Sequence, residues 1–175
     1  ANYDKLEINS IKHVLKNQRL SLMSSKNCRL LESKVSKIFD KNYGLMTNSG
    51  SSANLIALAS LELPKGSEVI TPALTFSTTV GSIVKNNLIP VFVDVGESDY
   101  CIDVSQIEQM ITKKKKAILA PNLIGNLCDW NTIRSIADKY NLMVIEDSAD
   151  TLGSTLNGKL SGSFTDWSIT SFYGS

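Results

Sequence analysis

Apolar positions recur with helical spacing at the start of the chain and then switch repeatedly between two periods. Leu6 to Leu20 and Cys28 to Phe39 have this helical spacing and lysine-rich outer faces, which predicts two amphipathic helices. Short apolar runs and further helical stretches then alternate. Near-continuous apolar strands are typical of a parallel sheet that helices cover on both faces. We therefore predict a three-layer α/β/α fold with a largely parallel sheet.

The alternating region predicts strands and helices in turn. Strands are expected at "YGLMT" (43–47), "EVITP" (68–72), "IPVFVDV" (89–95), "KAILAP" (116–121), "NLMVIED" (141–147) and "WSITSF" (167–172). Helices are expected at "SSANLIALASLEL" (51–63), "FSTTVGSIVKN" (76–86), "DVSQIEQMIT" (103–112), with Asp103 as N-cap, and "DWNTIRSIADKY" (129–140). Ligands in such folds bind at the carboxyl ends of the strands, so we expect the functional residues in the segments that follow them.

Composition bounds the classes of function that remain. A length of 175 residues suits a single domain, residues 1–175, and a net charge of +1 gives no electrostatic reason to expect nucleic acid or a membrane as a partner. Cys28, Cys101 and Cys128 are scattered, which predicts reduced thiols in a cytoplasmic protein and no metal site. No apolar run approaches a membrane span, and the start of the chain does not read as a signal peptide.

Two near-motifs suggest chemistry that the surrounding residues do not support. "GSTLNGKL" approaches a phosphate loop, but its last residue is not a hydroxyl residue, and Asn157-Gly158 is a strong signal for a two-residue hairpin turn. "GSSAN" approaches the nucleophile elbow of serine hydrolases, but Asn54 replaces the final glycine. The single histidine, His13, lies in the first predicted helix, so a hydrolase triad is not expected.

The segment "TNSGSSAN" can bind an anion. Gly50, Ser51 and Ser52 form a turn that opens a helix, and such a turn presents free backbone N–H groups and hydroxyls at the positive end of the helix. That arrangement suits a phosphate group. The alternative is simple N-capping by Ser49 or Ser51.

Three other strand ends carry residues that could complete a ligand site. Asp147 follows a buried strand, where a carboxylate is costly unless it meets a cation such as a protonated ring nitrogen; alternatively it caps the following turn. Phe76 could stack on a flat ligand or could simply pack in the core. Ser171 adds a hydroxyl at the last strand. Together with the phosphate turn, these residues describe a pyridoxal phosphate pocket.

At these residues the chain resembles the DegT/StrS family of sugar aminotransferases, which are fold-type I pyridoxal-phosphate enzymes. The resemblance runs through "NSGSSANLIAL", "GSEVITPALTFSTTV", "PVFVDV", "IDVSQIEQMITKKKKAI", "IEDSADTLGS" and "SFYGS". It implies the large domain of that fold, incomplete at its carboxyl end, and a small C-terminal domain that this chain does not contain. It also implies pyridoxal or pyridoxamine 5′-phosphate as the cofactor.

The resemblance implies a role for each candidate residue at the phosphate end. Ser51 and Ser52 match the turn that holds the cofactor phosphate, and Ser171 matches a serine that binds the same group. The family's catalytic lysine or histidine would then occupy the position immediately after Ser175.

The ring end is matched in the same way. Phe76 matches the side chain that stacks on the cofactor ring, and Asp147 matches the aspartate that pairs with the pyridine nitrogen, which makes Asp147 the expected catalytic residue. Asp150 stands where aminotransferases usually carry a glutamine near the cofactor's phenolic oxygen.

Two branches of the family compete. Most members place lysine after "SFYGS" and transfer an amino group to a keto sugar nucleotide. The sugar-nucleotide 3-dehydratases place histidine there and remove the C-3 hydroxyl of a 4-keto-6-deoxyhexose. Asp150 and the wordings "TNSGSSANLIA", "PALTFSTTV", "NLIGN" and "YGS" favour the dehydratase branch. Either reaction belongs to deoxy- or amino-sugar biosynthesis, as in lipopolysaccharide or O-antigen.

Three further expectations accompany the resemblance. The protein is expected to be a homodimer. Some dehydratase relatives carry an iron–sulfur cluster, but the cysteines here show no ligand spacing for one. A hypothesis from another class is a non-catalytic α/β domain that keeps the fold and binds a partner or ligand.

Overall fold

Helices and strands alternate through residues 3–17 and 25–173, which are the residues that the computed structural model describes. The α-helices are α1 (Lys5–Asn17), α2 (Lys26–Ile38), α3 (Gly50–Ser60), α4 (Ser77–Lys85), α5 (Val104–Ile107) and α6 (Trp130–Tyr140). The strands are β1 (Glu68–Pro72), β2 (Ile89–Val93), β3 (Lys115–Pro121), β4 (Met143–Asp147), β5 (Thr155–Leu156), β6 (Lys159–Leu160) and β7 (Trp167–Ile169). Short 3-10 turns cover Glu108–Met110 and Ser161–Phe164.

The central sheet is parallel throughout. Its five strands lie in the order β2-β1-β3-β4-β7, and each neighbouring pair is parallel. Because the strands run in one direction, their carboxyl ends meet along a single edge. The prediction of a three-layer fold with a largely parallel sheet is confirmed.

Two apolar clusters fill the two faces of the sheet. Along β3, Ala117 and Leu119 pack with α3 and α4, whereas Ile118 and Ala120 pack with α6. This alternation follows from the two-residue period of a strand, and each of these side chains is fully buried. The near-continuous apolar runs in the sequence therefore correspond to strands that are covered on both sides.

The prediction of a strand at "YGLMT" is wrong. Residues 43–47 have no regular structure, and Tyr43, Leu45 and Met46 are exposed. The backbone N–H of Met46 donates to the side chain of Glu32 in α2 (2.9 Å) and not to a neighbouring strand. Five residues of mixed polarity are too few to distinguish a strand from an extended loop.

The two N-terminal helices form where their periodicity predicts them. α1 begins at Lys5 and buries none of its side chains, and the end of its predicted range, residues 18–20, lies outside the described residues. α2 spans most of the predicted range from Cys28 to Phe39. No helix within 3–17 or 25–173 is long and apolar enough to cross a bilayer.

Two local sequence signals are confirmed, and one predicted strand is shorter than expected. Asn157 and Gly158 both have positive φ (53° and 77°) and join β5 to β6, as the hairpin signal predicts. Asp103 caps α5 by accepting from the N–H of Ser105 (3.0 Å). The predicted strand at 167–172 ends early, at Ile169.

The burial of β3 generates a test of the core. Ile118 is fully buried in β3, whereas Ile89 lies in the edge strand β2 and is about half exposed. Ile118→Ala should destabilise the full-length protein by about 2–5 kcal/mol, and Ile89→Ala should cost less than about 1 kcal/mol. Thermal unfolding of the two variants checks this difference, and equal losses would contradict the assigned position of β3.

Candidate functional site

Asp147 lies at the carboxyl end of β4 and is held from the α3–α4 side of the sheet. Its Oδ2 accepts from Asn54 Nδ2 (2.7 Å) and from Thr79 Oγ1 (3.4 Å), and its Oδ1 accepts from the N–H of Ala149 (3.3 Å). All three of these donors are uncharged. Asn54 and Thr79 are themselves buried, in α3 and α4.

Burial raises the pKa of Asp147 above its ordinary value. Desolvation is the largest cause, and the nearby charge of Asp150 adds to it, while the hydrogen bonds from Asn54, Ala149 and Thr79 oppose it. Among the described residues, no lysine or arginine forms an ion pair with Asp147. The site therefore favours either a proton on Asp147 or a cationic group beside it.

The first turn of α3 offers backbone donors. Ser49 is the N-cap: its hydroxyl accepts from the N–H of Ser52 (3.1 Å). Within residues 25–173, the N–H groups of Gly50 and Ser51 have no acceptor. Ser51 Oγ donates to Thr78 Oγ1 (2.9 Å), which joins the start of α3 to the start of α4. The N-capping reading of this segment thus applies to Ser49, and it leaves the anion-binding groups of the turn available.

Ser171 approaches this turn from the end of β7. A Cβ placed on Gly50 would lie 3.1 Å from Ser171 Cβ and 3.4 Å from its Oγ. Such a contact is tight, so glycine allows the serine hydroxyl and the helix N-terminus to lie side by side. Ser171 Oγ also accepts from the N–H of Tyr173 (3.2 Å).

The acidic end and the donor end of the site are close together. Asn54, which contacts Asp147, follows Ser51 by about one helical turn, or roughly 4.5 Å along the axis of α3. One end of this edge favours a cation and the other favours an anion. A single ligand with a cationic ring and an anionic group can therefore contact both ends.

Phe76 and Asp150 border the site. Phe76 is the N-cap residue of α4, two positions before Thr78, and its side chain is 69% exposed. The alternative that Phe76 packs in the core is therefore wrong, and its ring is available to a ligand. Asp150 is exposed, and its Oδ2 accepts from the N–H of Ile124 (3.2 Å), in the loop after β3.

The structure thus brings the sequence-predicted residues to one edge of the sheet. Gly50 lies beside Ser171, Ser51 follows Gly50 in the first turn of α3, and Asp147 is hydrogen-bonded to Asn54 of the same helix. A cavity of about 420 Å³ next to this edge is lined by parts of α2, residues 43–50 and residues 168–173. Its lining includes Gly50 and Ser171, at the donor end of the site, but not Asp147 at the acidic end.

Sequence reasoning missed two residues that hold Asp147, namely Asn54 and Thr79. A signal for Asn54 was present: it shares the buried stripe of α3 with Ala57 and Leu58, where a polar side chain needs a partner. Thr79 lies in α4 without a comparable signal.

The raised pKa of Asp147 predicts a pH-dependent stability. Because the folded protein binds this proton more tightly than the unfolded chain, stability from this residue is present at low pH and is lost as pH rises through the folded pKa. The difference in melting temperature between Asp147→Asn and the ligand-free wild-type protein should therefore shift in favour of the variant as pH rises from about 4 to neutral, because only wild type loses this proton.

Thermal melts of wild type and variant across this pH range measure the gain. Asp138→Asn, at an exposed carboxylate in α6, is the matched control and should give a difference that varies little with pH. A difference between Asp147→Asn and wild type that stays constant with pH, or that shifts in favour of wild type as pH rises, would contradict the raised pKa of Asp147.

Comparison with known proteins gives consistent relatives. The chain is 47% identical over 150 residues to the lipopolysaccharide biosynthesis protein RfbH of Salmonella typhimurium, covering 81% of this chain and 34% of the relative. It is 39% identical over 162 residues to the dTDP-4-dehydro-2,6-dideoxy-D-glucose 3-dehydratase of Saccharopolyspora spinosa, covering 88% and 35%. The chain thus spans about a third of the length of these curated relatives.

A solved structure shares the fold. The GDP-4-keto-6-deoxy-D-mannose 3-dehydratase of Escherichia coli, which was solved with bound hydrated pyridoxal phosphate, superposes with a TM-score of 0.84 at 32% identity, covering 91% of this chain and 42% of that one. The fold-type I prediction is thereby confirmed. The sequence model of the DegT/DnrJ/EryC1/StrS aminotransferase family matches residues 2–175, and the chain therefore belongs to this family.

Proposed function

We propose that the full-length protein containing this chain is a pyridoxal-phosphate-dependent enzyme that acts on a 4-keto-6-deoxy sugar nucleotide. The observation that carries the proposal is the buried Asp147, which has no cationic partner among the described residues. Its hydrogen-bond donor Asn54 lies about one helical turn along α3 from the free N–H groups of Gly50 and Ser51. A pyridine ring with a protonated nitrogen and a phosphate matches both ends of this site.

The residues present fit this cofactor. Gly50, Ser51 and Ser52 would hold its phosphate through backbone N–H groups and hydroxyls, with Ser171 beside them. Phe76 would cover one face of the ring, since its side chain is free of the core.

Asp147 would hold a proton at the ring nitrogen. Buried and without another counter-ion in the described chain, its carboxylate gains more from a neighbouring cation than an exposed carboxylate would. When bound, the cofactor supplies an electron sink, and a protonated ring nitrogen is what makes that sink effective. Asn54 and Thr79 orient the carboxylate without neutralising it, so its charge remains available to the ring.

Asp150 would act at the other side of the ring. Its carboxylate is fixed by the N–H of Ile124 and is exposed, so it can face the cofactor's phenolic oxygen or a group on the substrate. A carboxylate there, in place of the glutamine of many aminotransferases, favours the 3-dehydratase branch.

The substrate class rests on the relatives. One is named a sugar-nucleotide 3-dehydratase, and another is named for lipopolysaccharide biosynthesis. We therefore favour removal of the C-3 hydroxyl, in deoxy-sugar biosynthesis for lipopolysaccharide or O-antigen, by a cytoplasmic homodimer. The second candidate is a sugar-nucleotide aminotransferase, which the name of the family supports.

Binding and activity test the cofactor assignment. The full-length protein should gain visible absorption with pyridoxal phosphate, and Asp147→Ala should lower turnover of a 4-keto-6-deoxy sugar nucleotide by at least about a hundredfold. Asp138→Ala, at an exposed carboxylate of α6, is the control and should retain activity. Near-normal turnover by Asp147→Ala would rule out both reactions, and failure to bind the cofactor would favour a non-catalytic binding domain.

Chemical trapping separates the two branches. Borohydride reduction of the full-length protein with pyridoxal phosphate, followed by peptide mass analysis, reads the residue after Ser175. We expect histidine there and no covalent adduct, as the dehydratase branch requires. A reduced phosphopyridoxyl group on a lysine at that position would establish the aminotransferase instead.

A further inference from the structure

A second carboxylate is buried directly beside Asp147. Glu146 precedes it in β4 and is fully buried. Successive side chains of a strand point to opposite faces, so Glu146 lies on the face away from Asn54 and Thr79. Neither the parallel sheet nor the proposed role of Asp147 requires a carboxylate at position 146.

Four donors converge on the carboxylate of Glu146. Its Oε1 accepts from Ser168 Oγ (2.5 Å) and from Thr165 Oγ1 (3.4 Å). Its Oε2 accepts from Ser148 Oγ (3.1 Å) and from Asn122 Nδ2 (3.3 Å). Each partner can donate, so an acceptor with two oxygens satisfies all of them. An apolar side chain would leave the hydroxyl of Ser148 without its acceptor. Thr165, Ser168 and Asn122 have other polar neighbours in Gly162 O (3.2 Å), Thr165 Oγ1 (3.1 Å) and Ser148 Oγ (2.8 Å), respectively.

Three of the four donors lie in or directly after three neighbouring strands. Asn122 follows β3, Ser148 follows β4, and Ser168 lies within β7. The same segments are joined by backbone bonds, in which the N–H of Asn122 donates to Asp147 O (2.9 Å) and the N–H of Ser148 donates to Ile169 O (2.7 Å). Glu146 thus links the three strands whose ends carry Asp147 and Ser171.

A further hydrogen bond connects the residue after β4 to the segment that contains Ser171. Thr170 Oγ1 donates to the carbonyl of Ser148 (3.1 Å), and Ser171 is the next residue. Lys41 supports the same region, since its ammonium donates to the carbonyls of Gly162 (2.6 Å) and Thr165. Burial lowers the pKa of Lys41, and the charge of Glu146 opposes that change.

A buried charged group is an expensive way to join strands, because desolvation offsets much of what its hydrogen bonds contribute. Val144 and Ile145, its neighbours in β4, are apolar and fully buried, so the strand itself tolerates apolar side chains. What distinguishes position 146 is that its carboxylate joins β4, which carries Asp147, to β7, which precedes Ser171.

We propose that Glu146 is a positioning residue that sets the spacing between Asp147 and Ser171, and hence between the ring and phosphate ends of the cofactor site. The proposal rests on the proposed function. Because a ligand that contacts both ends gains affinity only when their spacing matches it, disturbing Glu146 should weaken a two-ended ligand more than a one-ended ligand.

Two ligands test this difference without relying on turnover. Pyridoxamine 5′-phosphate contacts both ends, whereas pyridoxamine lacks the phosphate and contacts the ring end alone. In the full-length protein, Glu146→Gln replaces one of the two accepting carboxylate oxygens with an amide donor, which then meets groups that donate to Glu146 in the wild-type protein. It should weaken pyridoxamine 5′-phosphate by about tenfold or more and pyridoxamine by less than about twofold, as measured by calorimetry.

Two controls separate positioning from general loss of stability. Val144→Ala removes buried apolar atoms from the same strand and should lower the melting temperature while leaving the ratio of the two affinities unchanged. Glu108→Gln removes an exposed carboxylate that binds Lys139 and Tyr140 and should change neither affinity.

Each outcome has one interpretation. Equal weakening of both ligands by Glu146→Gln, or no weakening, would overturn the proposal. If that variant does not fold, Ser168→Ala, which removes the 2.5 Å bond, is judged by the same ratio. Failure of the wild-type protein to bind pyridoxamine 5′-phosphate would instead overturn the proposed function on which this proposal rests.

Discussion

The candidate site depends on one buried carboxylate. Asp147 is removed from water at the end of β4, is oriented by the neutral donors Asn54 and Thr79, and has no cationic partner in the described chain. Removing this charge from water costs free energy, which appears as a raised pKa. A ligand that brings a positive charge to Asp147 recovers that free energy, so the residue favours a cationic ring.

The parallel sheet explains why the other residues of the site are near this carboxylate. Strand ends that are far apart in sequence meet at one edge, where the N-terminus of α3 and the end of β7 also lie. The donor turn therefore has Gly50 beside Ser171, and Asn54, about one helical turn further along α3, contacts Asp147. A preference for a cation at Asp147 and a preference for an anion at the start of α3 therefore occur at the same edge of the sheet.

Much of this arrangement could be predicted from the sequence, because apolar runs and strand-end polar residues determine a parallel α/β fold locally. The strand predicted at "YGLMT" was wrong because a short run of mixed polarity is too short to show the two-residue alternation of a strand. The contacts of Asn54 and Thr79 with Asp147 span 93 and 68 residues, so they depend on tertiary packing. The proximity of Gly50 and Ser171 also joins distant parts of the chain and depends on tertiary packing.

The most direct test of the central claim is the protonation of the cofactor ring. Nitrogen NMR of the full-length protein with ¹⁵N-labelled pyridoxamine 5′-phosphate reports whether the ring nitrogen carries a proton. We expect a protonated nitrogen in the wild-type protein over a wide pH range, and a nitrogen that loses its proton at lower pH in Asp147→Ala. The same chemical shift and pH dependence in both proteins would contradict the role assigned to Asp147.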